Sequence, residues 1–145
     1  MKNRFFRVTG AQKRTLAKIR LFLAEKGYLI LDVAPRFKRK KSDFLAITKG
    51  RGTDIDRNLI RLRPTPKGRI SVQGFGSEDQ YIQVKSALKE FRKQPGVEAT
   101  VYWHHSHLPY IEEKKWLGWY EYFTKAQLKE VLLFIPEAKN RRPFS

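Results

Sequence analysis

The spacing of apolar positions divides the chain into a short series of elements. Leu16, Ile19 and Leu23 recur at intervals of three and four within residues 11–26, with basic residues on the other faces. That pattern predicts an amphipathic helix, capped by Thr9 or the residues after it and stopped by Gly27. Residues 28–33 follow, nearly continuous in apolar side chains, and read as a mostly buried strand ended by Pro35. A second short strand is predicted over 44–48. Residues 58–63 alternate Leu59, Ile60 and Leu62 with Arg61 and Arg63, residues 64–68 supply a Pro- and Gly-containing turn, and residues 69–73 alternate again. A β-hairpin with arginines on one face is the expectation. Residues 97–103, after the break at Gln94-Pro95-Gly96, are a further strand rich in β-branched and aromatic residues. Near the end, Thr124 followed by Gln127 forms a capping-box pattern, Leu128, Val131 and Leu132 share a helical face, and Pro136 closes that helix. Residues 110–123 mix charge with aromatics and carry no clear period.

These elements predict an α+β fold: a single domain over 1–145, a mixed β-sheet flanked by helices, and a basic β-hairpin, with 137–145 as a loose basic end. No internal repeat or low-complexity tract divides the chain. The absence of cysteine excludes disulfides, thiolate zinc sites, iron–sulfur clusters and cysteine nucleophiles. No apolar run approaches the roughly 18 residues that cross a bilayer, and residues 1–7 have no apolar signal core. The expectation is a soluble, intracellular protein with no membrane partner.

Charge changes the picture most. Lys and Arg number 31 against 14 Asp and Glu, a formal charge of +17. A one-signed excess of this size on a small domain attracts polyanions at long range, and nucleic acid is the first candidate. An anionic membrane ranks behind it, because the positive charge is spread over every segment and not gathered on one amphipathic helix. Basic side chains interleaved with aromatic ones suit nucleic acid, since cations release counterions from phosphates while planar rings stack on bases. The expected nucleic-acid contacts are Arg36, Lys38, Arg39, Lys40 and Lys41 around Phe37, Arg51 in the loop where Gly50 and Gly52 flank it, and Arg61, Arg63, Lys67 and Arg69 on the hairpin. Phe5, Phe22, Phe91 and Phe134 read as core.

Residues 74–93 admit two readings. In one, Ser77 caps a helix, Gln80 completes the capping box, and Tyr81, Val84, Leu88 and Phe91 form one stripe. In the other, residues 81–85 are a strand with Ile82 and Val84 inward and Gln83 and Lys85 side by side on the opposite face. With the strand, Ser42-Asp43 opening one strand and Gln83-x-Lys85 on another resemble the core of the PD-(D/E)xK nuclease superfamily. Thr9-Gly10-Ala11-Gln12-Lys13, a helix and Gly27-Tyr28 look like the entry to its Holliday-junction-resolvase-like and homing-endonuclease-like branches. The resemblance implies a Mg²⁺-dependent endonuclease hydrolysing phosphodiester bonds, with Asp43, Gln83 and Lys85 catalytic. Asp43 and Gln83 would ligate the metal, Lys85 would hold the attacking water, and DNA would be favoured over RNA. Where those branches place a glutamate near the start of the first helix, this chain has Lys13, Arg14 and Thr15. With the helix, the chain is a non-catalytic DNA- or RNA-binding module, a recombination accessory or ribonucleoprotein component. Whether it acts alone or as a homodimer stays open.

His105 and His107 also resemble the His-x-His of rolling-circle replication nucleases, with Tyr122 and Lys125 beyond them in a Tyr-x-x-Lys spacing. The simpler reading is a set of polar histidines at a strand end.

Overall fold

A computed structural model describes residues 6–32, 43–48, 59–74, 78–105 and 123–136. The element order is α1 (Gly10–Glu25), β1 (Leu29–Asp32), β2 (Phe44–Ile47), β3 (Leu59–Pro64), β4 (Ile70–Gly74), α2 (Glu78–Phe91), β5 (Val101–His105) and α3 (Lys125–Phe134). The fold is α+β. The strands form one mixed sheet in the order β1-β2-β3-β4-β5, antiparallel except for the parallel β4–β5 pair. A parallel neighbour needs a crossover, and α2 supplies it.

α1 forms where the 3.6-residue period places Leu16, Ile19, Phe22 and Leu23 on one buried face. Thr9 caps it through a reciprocal capping box with Gln12, satisfying two backbone donors of the first turn. At the other end Gly27 takes φ 94°, a left-handed conformation that suits glycine. The amides of Gly27 and Tyr28 then donate to the carbonyls of Ala24 and Leu23, both at 3.0 Å, turning the chain directly into β1.

The pleat sorts the strand residues between two faces. On one face Ile30, Phe44, Ala46, Ile60, Leu62, Ile70, Val72, Val101 and Trp103 meet the stripe of α1 and Val84, Leu88 and Phe91 of α2. The rings of Phe22 and Phe91 pack edge to face at 5.3 Å and join the two helices. Thr15, buried in α1, accepts a hydrogen bond from the Ala99 amide at 2.9 Å and fixes the approach to β5. On the other face Leu29, Leu31, Leu45, Ile47 and Leu59 are covered by Phe123 and by Leu128, Val131 and Leu132 of α3, which Thr124 and Gln127 cap as their spacing predicts. The layers are therefore helices, sheet, helix. Among the described residues, no helix is long and apolar enough to cross a membrane.

Residues 81–85 are helical, so the strand reading of this segment gives way to the helical one, and Ser77, its expected cap, lies outside the described residues. The physical reason is burial: a 3.6 period places Val84, Leu88 and Phe91 together in the core, whereas a strand would inter only Ile82 and Val84. Ile82 is left 56% exposed as a result.

Candidate nucleic-acid interface

Among the described residues, the apolar cluster under α3 reaches Leu59, and further along the same face of the sheet the positions are polar. By register, Arg61 of β3 lies opposite Gln73 of β4, and Gln73 opposite position 104 of β5; one row over, Arg63, Ser71 and Tyr102 are aligned. Period-two alternation explains the set, because Arg61, Ser71 and Tyr102 each sit between two residues of the α1–α2 core, and Arg63, Gln73 and position 104 each follow one. Arg61, Ser71 and Gln73 are buried, while Arg63 and Tyr102 are half-buried.

At the tip of the β3–β4 hairpin, the Thr65 amide donates to the Arg69 carbonyl at 2.9 Å, and the Arg69 amide donates to Thr65 Oγ1 at 3.2 Å. Gly68 closes the turn at φ 81°. The tip is not left to itself. Gln12, fully buried, donates from Nε2 to the carbonyls of Thr65 and Arg69 at 2.9 and 2.8 Å, while its Oε1 accepts from the Thr9 amide at 2.9 Å. One side chain thus bolts the hairpin tip to the first turn of α1. Exposed Lys67 and Arg69 on the tip are brought beside the helix end that carries exposed Lys13 and, just before it, Arg7. The first turn also contributes the positive end of the helix dipole. Arg69 places its guanidinium 5.3 Å from the centroid of the Tyr102 ring, which links the tip to the polar face of the sheet.

Several acids are matched to bases. Arg14 binds Glu98 in a two-bonded fork at 2.7 and 2.8 Å, Arg20 reaches Asp32 at 2.9 Å, and Lys26 reaches Glu90 at 2.9 Å. The hydrogen bond from Arg14 holds the Glu98 carboxyl below its ordinary pKa and raises that of Arg14 in return. These pairs are exposed and contribute little to stability. Each neutralises one base as well as one acid, so the net charge of +17 is left unchanged.

Asp43 opens β2 as expected, but its Oδ2 accepts from Arg61 Nη2 at 3.1 Å, with the two side chains only 9% and 7% exposed. Arg61 is therefore an interior residue tied to a carboxylate and not a surface contact for phosphate, which corrects the expectation that all four hairpin cations face outward. Gln83 and Lys85 lie on exposed positions of α2. Two residues apart on a helix means about 200° around its axis, so Gln83 and Lys85 point away from each other. The structure thus does not gather Asp43, Gln83 and Lys85 as a Gln-x-Lys strand would, and this donor set does not fit a Mg²⁺ site. Among the described residues, no three His, Asp or Glu side chains stand close enough to hold a metal ion. Arg63 lies near the end of β3, two residues before the Thr65–Arg69 turn that carries Lys67 and Arg69. Arg36, Lys38, Arg39, Lys40, Lys41 and Arg51 lie outside the described residues, as do Phe5, His107 and Tyr122. Phe22 and Phe91 are core, as expected, and Phe134 packs against the α3 side.

Gln12 and Tyr102 were not among the expected site residues. For Gln12 the signal is present in the chain, since Thr9-x-x-Gln12 repeats the spacing of Thr124-x-x-Gln127. Comparison with protein-family models, curated proteins and solved structures finds no match to this chain.

Proposed function

We propose that the protein binds nucleic acid without hydrolysing it, through a basic edge formed by the hairpin tip and the start of α1. The observation that carries this reading is the Gln12 clamp, which holds Lys67 and Arg69 in a fixed relation to Lys13. Preorganised cations lose less conformational entropy on binding a phosphate chain than cations on a mobile loop. The net charge of +17 supplies the long-range attraction. The helix over Glu78–Phe91 and the Asp43–Arg61 pair favour binding over hydrolysis.

The test is a salt titration of affinity for labelled duplex DNA and for RNA. Log affinity is expected to fall linearly with log salt, and Lys67→Ala with Arg69→Ala to reduce the duplex slope by about 1.8, two phosphate contacts at 0.9 each. A wild-type protein that does not bind at low salt, or an unchanged slope in the double variant, overturns the reading. Cleavage that appears with Mg²⁺ and vanishes in Lys85→Ala would restore the hydrolytic alternative.

A further inference from the structure

Arg69 is an exposed cation held at both ends. Its amide donates to Thr65 Oγ1 at 3.2 Å, and its carbonyl accepts from the Thr65 amide at 2.9 Å and from Gln12 Nε2 at 2.8 Å. The side chain has a direction as well. Ile70 and Val101 turn into the α1–α2 core, so alternation sets Arg69 and Tyr102 on the opposite side of the sheet. The two are diagonal across β4 and β5, because Tyr102 aligns with Ser71, two residues beyond Arg69. A long side chain spans such a diagonal. The Arg69 guanidinium lies over the Tyr102 ring at 5.3 Å from its centroid, inside the range of a cation–π contact. Tyr102 is half-buried in a paired strand, so the ring is the stationary member and Arg69 takes its position from it.

The manner of holding matters to a ligand. Arg14 and Arg20 commit their donors to carboxylates, Arg14 through Nε and Nη2 to Glu98 and Arg20 through Nη1 to Asp32. A ring engages a guanidinium through its π face, which orients the charge without occupying the in-plane N–H groups that a fork requires. We infer that Arg69 anchors the nucleic acid by gripping the two non-bridging oxygens of one phosphate in a bidentate fork, with Tyr102 as the residue that positions it. The inference rests on the proposed binding function and deepens it, by giving the central contact its chemistry. Lys67 on the same turn and Lys13 at the start of α1 act on neighbouring phosphates as point charges. Lysine does not replace arginine at such a contact, since an ammonium keeps the charge and loses the planar fork. Gln12 and Tyr102 then serve one residue from two sides, the first through its backbone and the second through its guanidinium.

Fluorescence anisotropy over a range of salt, with labelled duplex DNA and with labelled RNA, tests the inference, and thermal unfolding checks that each variant is folded. Arg69→Lys is expected to weaken binding about tenfold while the slope of log affinity against log salt holds, because the charge is retained and the fork is lost. Arg69→Ala is expected to lose at least as much and to lower the duplex-DNA slope by about 0.9. Tyr102→Leu is expected to weaken binding about 2- to 5-fold at constant slope, and Tyr102→Phe, which keeps the ring, to bind as the wild type does. A ring with a purely structural role matters whatever stands at position 69, whereas a positioning ring matters only to the guanidinium. Tyr102→Leu is therefore expected to have no further effect in the Arg69→Ala background. An Arg69→Lys protein that binds as tightly as the wild type overturns the inference, leaves the binding function standing, and does not depend on any Tyr102 variant folding. So does a Tyr102→Leu loss of the same size with and without Arg69, or a Tyr102→Phe loss as large as that of Tyr102→Leu. If the wild type binds neither probe at low salt, the binding function fails and the inference with it.

Discussion

The Asp43–Arg61 pair offers the sharpest separation between a structural and a metal-binding carboxylate. At 3.1 Å, with both side chains more than nine-tenths buried, the attraction at an effective dielectric of about 20 is about 5 kcal/mol. Desolvation offsets much of that, so the pair as a whole adds little over a well-packed apolar substitute. Removing one member is different, because the other charge stays buried without its counterion. Asp43→Asn is therefore expected to destabilise the fold by about 3–5 kcal/mol, and Asp43→Leu combined with Arg61→Met to recover most of the loss. Urea unfolding followed by circular dichroism reads this out. With a slope of about 2 kcal/mol per molar, the Asp43→Asn midpoint falls by roughly 2 M while the slope holds, and the double variant returns toward the wild type. A loss below about 1 kcal/mol in Asp43→Asn would refute the reasoning. So would a wild-type midpoint that rises with Mg²⁺ and an Asp43→Asn midpoint that does not, since ligation stabilises only the state that binds.

Two further predictions follow from the clamp and from titration. Gln12→Ala removes two bonds to the hairpin tip and one to the helix cap, and is expected to cost about 2–4 kcal/mol in urea unfolding while weakening nucleic-acid binding without any change in charge. Unchanged affinity in a folded Gln12→Ala would show that the tip does not need its anchor. Burial raises the Tyr28 hydroxyl above its ordinary pKa of 10.0, so the folded state holds that proton longer than the unfolded state. Stability from this source is complete below about pH 10 and is lost as pH rises beyond it; Tyr28→Phe should flatten the alkaline limb of a pH–stability curve. Glu98 acts with the opposite sign, because Arg14 lowers its pKa: its contribution is present above the ordinary carboxylate range and disappears as pH falls through the folded value.

Much of the scaffold could be read from local rules. The stripe Leu16, Ile19, Leu23 locates α1, and Thr124 with Gln127 locates α3, because a helix end and a helix face are decided by residues within one or two turns. The hairpin follows from alternation around residues 64–68, and its tip cations Lys67 and Arg69 are exposed as their residue types suggest. Arg61 was misplaced for a reason that local sequence does not contain. Its burial depends on β3 lying in the middle of the sheet and on Asp43, eighteen positions earlier, being within reach. Gln83 and Lys85 were ambiguous because a segment of alternating and 3.6-spaced apolar residues satisfies both periods, and only the presence of α1 opposite Phe91 decides between them.

The bond between Thr15 and Ala99 spans 84 positions, and that interval is also a delay. At ribosomal speeds of 5–20 residues per second, about 4–17 s pass between synthesis of the first helix and synthesis of the strand approach that secures it. During that time the greasy side of α1 has only the early β-meander to rest on, and α2, which brings Phe91 to Phe22, arrives late. The nascent protein is therefore expected to remain protease-sensitive and dependent on chaperones until β5 emerges, and then to gain resistance in one step.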